Sequence, residues 1–298
     1  MLSANIFDIK RFGINDGDGI RTVLFLKGCP LRCQWCQNPE GLFPDIRVWH
    51  WMETCVSCQS CVAACGQQAI CFDEAGLLID QERCTLCGEC VRTCPTGAIR
   101  FDGKRMTVDQ VMEELEKDRV FYGENGGVTL SGGDPLASPD FSLAVLEECR
   151  ARGIHTAIET CLYASREYVE AFAEATDQII ADIKLIDPER HLAVTGVDNG
   201  LILGNINSLI KLDCDLLLRV PLISGYTADR ENLEGIAQFI SSQPRPVPVQ
   251  LLNFNPMCRE KYRSLRLDDS FLQGQRAFTQ VEMLEFQAVL EAYGLHVI

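Results

Sequence analysis

The segment Gly28-Cys29-Pro30-Leu31-Arg32-Cys33-Gln34-Trp35-Cys36-Gln37 contains three cysteines within eight residues, at the spacing C-x3-C-x2-C. Three thiolates are one fewer than the four that close a tetrahedral zinc site or saturate a four-iron cluster. A metal group held by this segment therefore keeps one position open for a small chelating ligand. Structural zinc and a chance spacing of buried thiols are the alternative interpretations of so short a motif.

The residues before this segment predict the strand that carries it. Residues 20–27, IRTVLFLK, are β-branched and apolar and end at a glycine, a pattern that predicts a buried strand. The cysteine loop would then follow the carboxyl end of that strand. Residues 15–19, NDGDG, predict a turn ahead of it.

Two further cysteine runs repeat each other between residues 47 and 103. The C-x2-C-x2-C-x3-C run at 55–65 returns 29 positions later at 84–94, and each copy is followed by Ala-Ile. Bacterial two-cluster ferredoxins show this pattern, and in them the fourth cysteine of each run ligates the other cluster. Zinc is the alternative occupant. The expected ligand sets are Cys55, Cys58, Cys61 and Cys94 for one cluster, and Cys84, Cys87, Cys90 and Cys65 for the other.

From Thr107 onward, helix-like and strand-like segments alternate. Thr107 can cap a helix whose apolar face repeats at i, i+3, i+4 and i+7, and Ser138-Pro139 can begin a second helix. This order predicts a parallel sheet covered by helices, with ligands at the carboxyl ends of its strands. The predicted strands are Gly127–Leu130, His155–Glu159, Gln178–Lys184, Leu216–Leu222 and Val247–Phe254.

Small, polar and charged residues follow these predicted strands. Gly132-Gly133 can let a ligand approach the backbone, although a plain turn would use the same residues. Asp182 and Lys184 share one face of a strand, so together they can bind a zwitterionic amino acid, or they can form an ion pair that caps the sheet.

Taken together, these motifs resemble the glycyl-radical-enzyme activating enzymes of the radical S-adenosylmethionine (SAM) superfamily, of the pyruvate formate-lyase activating enzyme type. The resemblance also includes DGDGIRT at 16–22, where Asp18 replaces the usual Pro, and FLKGC at 25–29. It implies an α/β fold with a partial (β/α)6 radical SAM barrel in residues 1–46 and 104–298. A bacterial-ferredoxin-like domain with two [4Fe-4S] clusters would be inserted at residues 47–103.

The resemblance also assigns site residues. Cys29, Cys33 and Cys36 would hold the catalytic cluster, and SAM would chelate its open iron. Gly132-Gly133-Asp134 stands where the family's GGEP element binds the methionine amino group, and Asn255 stands where a His usually contacts the nucleoside. A monovalent cation would lie near the SAM carboxylate. The residues expected to contact SAM or this cation are Trp35, Cys36, Gln37, Gly132, Gly133, Asp134, Glu159, Thr160, Asp182, Ile183, Lys184, Arg219 and Asn255.

The activity implied is reductive cleavage of SAM to methionine and a 5′-deoxyadenosyl radical, which removes hydrogen from a backbone glycine of a partner glycyl radical enzyme. The insert would relay electrons from a flavodoxin or ferredoxin, or it would support docking. A radical SAM enzyme that oxidises a peptide or small molecule with auxiliary clusters is the rival. A protein that only transfers electrons is a further alternative, but it would need only the insert and would not explain the motifs at the strand ends.

Bulk composition narrows the function classes further. The 298 residues carry a net charge of −15, which argues against binding to nucleic acid or to an anionic membrane. The amino terminus lacks a signal-peptide pattern, and we expect no membrane span. Sixteen cysteines then suit metal ligation in a reducing cytoplasm better than disulfides. Three four-iron clusters would give about twelve irons per chain, against about eight for the insert alone.

Overall fold

The computed structural model describes residues 1–73 and 76–298. Within these ranges none of the helices is both long enough and apolar enough to cross a bilayer. The strands are β1 (Ser3–Gly13), β2 (Arg21–Leu26), β3 (Val48–His50), β4 (Ile70–Asp73), β5 (Gly76–Ile79), β6 (Ile99–Phe101), β7 (Lys104–Thr107), β8 (Gly127–Gly132), β9 (His155–Thr160), β10 (Gln178–Asp182), β11 (Leu216–Leu222) and β12 (Val249–Asn253). The helices are α1 (Ser60–Ala64), α2 (Glu89–Thr93), α3 (Val108–Glu116), α4 (Pro139–Ala151), α5 (Arg166–Ala175), α6 (Pro188–Thr195), α7 (Gly200–Lys211), α8 (Arg230–Ser241), α9 (Arg259–Leu265) and α10 (Gln280–Glu291).

One eight-stranded sheet runs through the molecule in the order β12-β11-β10-β9-β8-β2-β1-β7. The six strands from β12 to β2 pair in parallel, whereas β1 pairs antiparallel with both β2 and β7. The strands between helices are almost continuously apolar because both faces of a parallel sheet are covered. The α/β fold with a mostly parallel sheet, predicted from the alternating pattern, is confirmed.

Local sequence signals determine where the helices begin. The Thr107 hydroxyl accepts from the Gln110 backbone amide while the Gln110 side chain accepts from the Thr107 amide, which completes a capping box for α3. Val111, Met112 and Leu115 then lie on the buried face of this helix. Pro139 begins α4, as its fixed backbone angle favours.

Two strands of the sheet had no clear sequence signal. β1 is an 11-residue strand whose side chains are mostly half-buried or exposed in its second half, so it lacks a strong apolar run. β7 is four residues long and begins with the exposed pair Lys104 and Arg105. β7 is a strand because it pairs with residues 3–6 of β1, and its own sequence does not predict this pairing.

Residues 47–103 form a separate packing unit on this frame. β3 pairs antiparallel with β6, and β4 pairs antiparallel with β5, while α1 and α2 contact each other. Their apolar side chains form a cluster distinct from the core of the large sheet. The members of that small cluster with little exposure are Val48, Cys61, Ile70, Leu77, Cys90 and Ile99.

A buried ion pair joins this unit to the large sheet. Lys27, just after β2, donates from Nζ to Asp102 Oδ2 at 2.7 Å and to the Glu40 carbonyl at 2.7 Å. Asp102 Oδ1 accepts from the Arg47 backbone amide at 2.7 Å. Both ends of the 47–103 segment are thus connected to a single lysine whose side chain is fully buried.

Candidate active site

A cavity of about 390 Å³ lies at the carboxyl ends of β2 and β8 to β11. Its volume falls in the range of small-molecule and cofactor sites. It gathers residues that are up to 238 positions apart in the chain, from Asn15 to Asn253, as expected at this end of a parallel sheet. The predicted site residues that line it are Cys29, Cys33, Trp35, Cys36, Gln37, Gly132, Gly133, Glu159, Thr160, Asp182, Lys184 and Arg219.

The three-cysteine loop is held by backbone contacts to distant elements. The Arg32 amide donates to the Thr195 carbonyl at 2.6 Å, at the end of α6. From α9, the Tyr262 hydroxyl donates to the Cys36 carbonyl at 2.9 Å. Trp35 is buried and packs against Tyr226, with ring centroids 5.4 Å apart. These contacts fix the course of the loop that carries the three thiols.

Burial makes two of these thiols reluctant to ionise. It raises the pKa of Cys33 to about 12 and raises the pKa of Cys36 as well. A hydrogen bond with the Cys161 thiol lowers the pKa of Cys29. Buried thiolates of this kind need a compensating positive charge, which a soft metal group supplies.

The three thiols surround an open space and do not converge on a single ion position. Among the described residues, no three His, Cys, Asp or Glu side chains converge closely enough to share a single metal ion. The donor set of three thiols around open space fits a multi-iron cluster with one iron left for another ligand. All 16 cysteines, including these three, are free of disulfides.

Close backbone packing brings the double glycine next to the cysteine loop. The Gly133 amide donates to the Leu26 carbonyl at 2.7 Å, and the Asp134 amide donates to the Gly28 carbonyl at 2.8 Å. A Cβ atom on Gly133 would collide with the carbonyl oxygens of Gly28 and Gly41. The glycine is therefore required by this contact between loops, whether or not a ligand approaches.

Asp134 does not line the cavity, in contrast to the role that the resemblance assigns to it. Its carboxylate accepts from the backbone amides of Leu136 and Cys161, each at 2.8 Å, and from the Thr160 hydroxyl at 3.0 Å. Burial raises the pKa of this carboxyl group. The shorter Asp, in the place of Glu, turns into the wall and joins the end of β8 to the end of β9.

Two charged pairs lie on the cavity wall. Lys184 donates to Asp182 Oδ2 at 2.6 Å, and Arg219 is paired with Glu159. The Ser131 hydroxyl donates to Glu159 Oε2 at 2.6 Å. Burial by itself would lower the pKa of Lys184, but Asp182, Cys33 and Cys161 together raise it. The wall thus presents cations and carboxylates that are already oriented.

Two other predicted SAM contacts lie elsewhere. Ile183 is 1% exposed and belongs to the apolar core, since it alternates with Asp182 and Lys184. Asn255 is exposed, and its side-chain oxygen accepts from the Met257 amide at 3.0 Å. Neither lines the cavity, whereas Asn253, at the end of β12, does. The side chain of Asn253 is itself held by the backbone of Phe278.

Some cavity residues had been given no role in the sequence interpretation. Cys161 follows Glu159-Thr160 directly and faces the same volume as the three cluster thiols. Asn15 and Asp16 come from the turn before β2, and the Asn15 carbonyl accepts from Arg219 at 2.5 Å. Their position next to a strand end could have indicated that these residues belong to the site. Turns and buried thiols are both common in proteins without any functional role, so this signal is weak.

Two smaller cavities, each about 20 Å³, lie in the 47–103 unit. Each is bordered by four cysteines, three from one run and one from the other, which is the crossed arrangement expected from the spacing. Site A is lined by Cys55, Cys58, Cys61 and Cys94. Site B is lined by Cys65, Cys84, Cys87 and Cys90.

Comparison with known proteins finds similarity over most of the chain. The model of the radical SAM superfamily matches residues 23–240. The trans-4-hydroxy-L-proline dehydratase activating enzyme of Clostridioides difficile is 40% identical over 86% of this chain and 86% of its own. The (2S)-3-sulfopropanediol dehydratase activating enzyme of Klebsiella oxytoca is 42% identical over 88% of this chain and 85% of its own. The crystal structure of Streptococcus suis SuiB bound to S-adenosylmethionine shares the fold over 65% of this chain and 43% of that one, with TM-score 0.51 and 11% identity.

Proposed function

The chain belongs to the radical SAM superfamily, among the activating enzymes of glycyl radical enzymes, and we propose that it generates a glycyl radical in a partner enzyme. The reaction would cleave SAM with one electron and transfer a hydrogen atom from a backbone glycine of the partner to the 5′-deoxyadenosyl group. Methionine and 5′-deoxyadenosine leave, and the partner keeps the radical. The cavity that joins three thiols to the strand-end charges is the observation that carries this proposal.

Cys29, Cys33 and Cys36 would hold a [4Fe-4S] cluster with one iron free of protein ligands. When bound, this cluster supplies the electron and the coordination site for the amino and carboxylate groups of SAM. The chain contributes orientation, because Tyr262 and the end of α6 fix the loop. Trp35 and its apolar neighbours exclude water from one side of the site.

The strand ends would hold SAM itself. Lys184 can pair with the SAM carboxylate while Asp182 keeps the lysine in place, since their 2.6 Å contact orients the ammonium group. The backbone of Gly132-Gly133 lies beside the cysteine loop, where it can accept from the SAM amino group. Glu159 and Thr160 line the same wall and are the proposed neighbours of a monovalent cation. Asp134 would act only through the wall that it stabilises.

We extend the proposal to the architecture. Residues 1–46 and 104–298 would form a partial (β/α)6 barrel, supported by the six parallel strands of the central sheet. Residues 47–103 would form a bacterial-ferredoxin-like domain, supported by the crossed cysteine sets of sites A and B. Three [4Fe-4S] clusters per chain follow from this assignment.

The insert would relay electrons from a flavodoxin or ferredoxin to the catalytic cluster. Helix α9 supports this role because it contacts β3 of the insert and also the cysteine loop, through Tyr262. At its end, Arg266 donates to both oxygens of Asp73 in β4, at 2.6 and 2.9 Å. Support for partner docking is the alternative role of this unit.

Anaerobic reconstitution with SAM and a chemical reductant tests the activity. We expect 5′-deoxyadenosine and, with the correct glycyl radical enzyme present, an organic radical in the electron paramagnetic resonance (EPR) spectrum. A protein with intact clusters that forms no 5′-deoxyadenosine would contradict the proposal. Formation of 5′-deoxyadenosine with oxidation of a small molecule, and no radical on any candidate partner, would favour the rival class.

Variants of the insert separate relay from docking. Cys58→Ala in site A or Cys87→Ala in site B should abolish turnover with a flavodoxin while SAM cleavage with a chemical reductant persists. A docking role predicts instead that flavodoxin-driven SAM cleavage persists and that binding to the glycyl radical enzyme weakens.

A further inference from the structure

Sites A and B are related by the internal repeat, and this relation holds residue by residue. A shift of 29 positions converts Cys55 into Cys84 and His50 into Ile79. In the structure His50 pairs with Ile99 across β3 and β6, while Ile79 pairs with Ile70 across β5 and β4. Ile99 and Ile70 are themselves 29 positions apart. The two sites are therefore built on equivalent strand pairs.

At these four strand positions the two sites differ in one residue, which is polar in site A. His50 and Ile99 line site A, whereas Ile79 and Ile70 line site B. An imidazole thus occupies in one site the position that a purely aliphatic side chain occupies in the other.

The His50 ring has a buried nitrogen with nothing to bind. The residue is 6% exposed, and its Nε2 atom has no hydrogen-bond partner among the described residues. A buried donor or acceptor without a partner costs about 1–3 kcal/mol, so such a group is usually satisfied by something in the native protein. Trp49 and Trp51 also have buried unpartnered ring nitrogens, but neither residue lines a thiol cavity.

The surroundings of the imidazole also favour its neutral form. Burial and the positive charge of Arg266 both lower the pKa of His50. A neutral ring with its proton on Nε2 is a hydrogen-bond donor of ordinary strength. Sulfur atoms of an iron–sulfur cluster accept such bonds, and the bonds raise the reduction potential because they stabilise the additional negative charge.

We propose that His50 donates a hydrogen bond from Nε2 to a sulfur atom of the cluster in site A, and that this bond makes site A the more easily reduced of the two insert sites. The inference rests on the proposed occupancy of both sites by [4Fe-4S] clusters. When the insert holds one electron, that electron resides mainly in site A. Strand β3, which carries His50, also contacts α9.

A redox titration of the reconstituted full-length protein, followed by EPR, tests this assignment. His50→Ile gives site A the residue of site B, and we expect one insert signal to move to a lower potential by the equivalent of about tenfold in the reduction equilibrium, which is about 59 mV for one electron. His50→Gln retains an N–H donor and should move the signal less. Ile79→Val, at the matched position of site B, should leave both insert potentials unchanged.

A second measurement does not depend on a shift in potential. Electron-nuclear double resonance of the reduced protein, in H₂O and in D₂O, should detect at one insert cluster an exchangeable proton that the wild type has and His50→Ile lacks. Backbone amides that donate to ligand sulfurs, such as Ser57 to Cys55 and Ala69 to Cys65, should give signals in both proteins. Twelve-iron protein with no such proton, or with unchanged potentials in His50→Ile, overturns this inference alone. An insert that holds zinc or no iron overturns the assignment of three clusters together with this inference, whereas 5′-deoxyadenosine formation tests the proposed activity separately.

Discussion

The two cysteine-rich regions of this protein differ in the number of thiols that they present and in the space that they leave. The loop after β2 brings three thiols to a cavity of about 390 Å³ that also holds backbone glycines and two charged pairs. Each site in the 47–103 unit brings four thiols to a cavity of only about 20 Å³. Four thiolates saturate a cluster, and a small cavity leaves no space for another ligand, which suits electron storage. Three thiolates beside a large cavity leave one iron and enough space for a substrate.

The largest expected effect comes from removing a thiol from the three-cysteine loop. Cys36→Ala should abolish 5′-deoxyadenosine formation with any reductant, because two thiolates cannot hold the cluster at the SAM site. Cys87→Ala, the matched change in site B, should retain SAM cleavage with a chemical reductant. Chromatography of 5′-deoxyadenosine after anaerobic reconstitution compares them. Equal losses in both variants would remove the distinction between the two regions.

The junction between the regions should be sensitive to loss of one charge. Lys27→Met leaves Asp102 buried without its partner, and removal of one member of a buried pair costs about 3–5 kcal/mol in the free energy of unfolding. Lys27→Met with Asp102→Leu should recover part of that loss. Urea denaturation of the anaerobic protein measures both variants.

An exposed pair provides the control for this prediction. Lys117 pairs with Glu114 on the surface of α3. Lys117→Met should lower the free energy of unfolding by at most about 1 kcal/mol. If Lys27→Met costs no more than Lys117→Met, the buried pair does not join the two regions as described.

A smaller effect is expected for a charged residue of the open cavity. Lys184→Met should weaken SAM binding by about 10- to 150-fold, since a hydrogen bond to a charged group contributes about 1.5–3 kcal/mol. Lys211→Met, an exposed lysine at the end of α7, is the control. Isothermal titration of SAM into protein that contains its clusters measures the dissociation constants. An unchanged constant for Lys184→Met would place the SAM carboxylate elsewhere.

The smallest effect should be at Asn255. Because its side chain accepts from the Met257 amide and does not line the cavity, Asn255→Ala should change the SAM dissociation constant by less than about twofold. The same titration measures it. A tenfold loss would return Asn255 to the nucleoside-contact role that the resemblance assigns to it.

Sequence patterns located most of the sheet because its strands are strongly apolar. β11 occupies residues 216–222 as predicted, and β12 is shorter than predicted by two residues at its start and one at its end. β10 ends at Asp182, two residues early, because Lys184 leaves the ladder to face the cavity. β1 and β7 were missed because their pairing depends on residues about 100 positions apart.

Residues of the site were predictable where their role depends on the spacing of cysteines in the sequence. They were less predictable where the role depends on the direction in which a side chain points. The cysteine spacings predicted the three groups of thiols that each line one cavity in the structure. Motif position alone placed Asp134 and Asn255 beside SAM, but local hydrogen bonds to backbone amides turn both side chains elsewhere. The environment of His50 depends on the pairing of β3 with β6, which no local pattern reveals.

The central claim is that SAM occupies the open iron of the cluster held by Cys29, Cys33 and Cys36. Electron-nuclear double resonance of the reduced protein with SAM labelled by ¹⁵N at the amino group and ¹⁷O at the carboxylate tests it most directly. We predict hyperfine coupling from both labels to the cluster. Absence of both couplings, together with a coupling from the β-protons of Cys161 that marks this thiol as the fourth ligand, would contradict the claim.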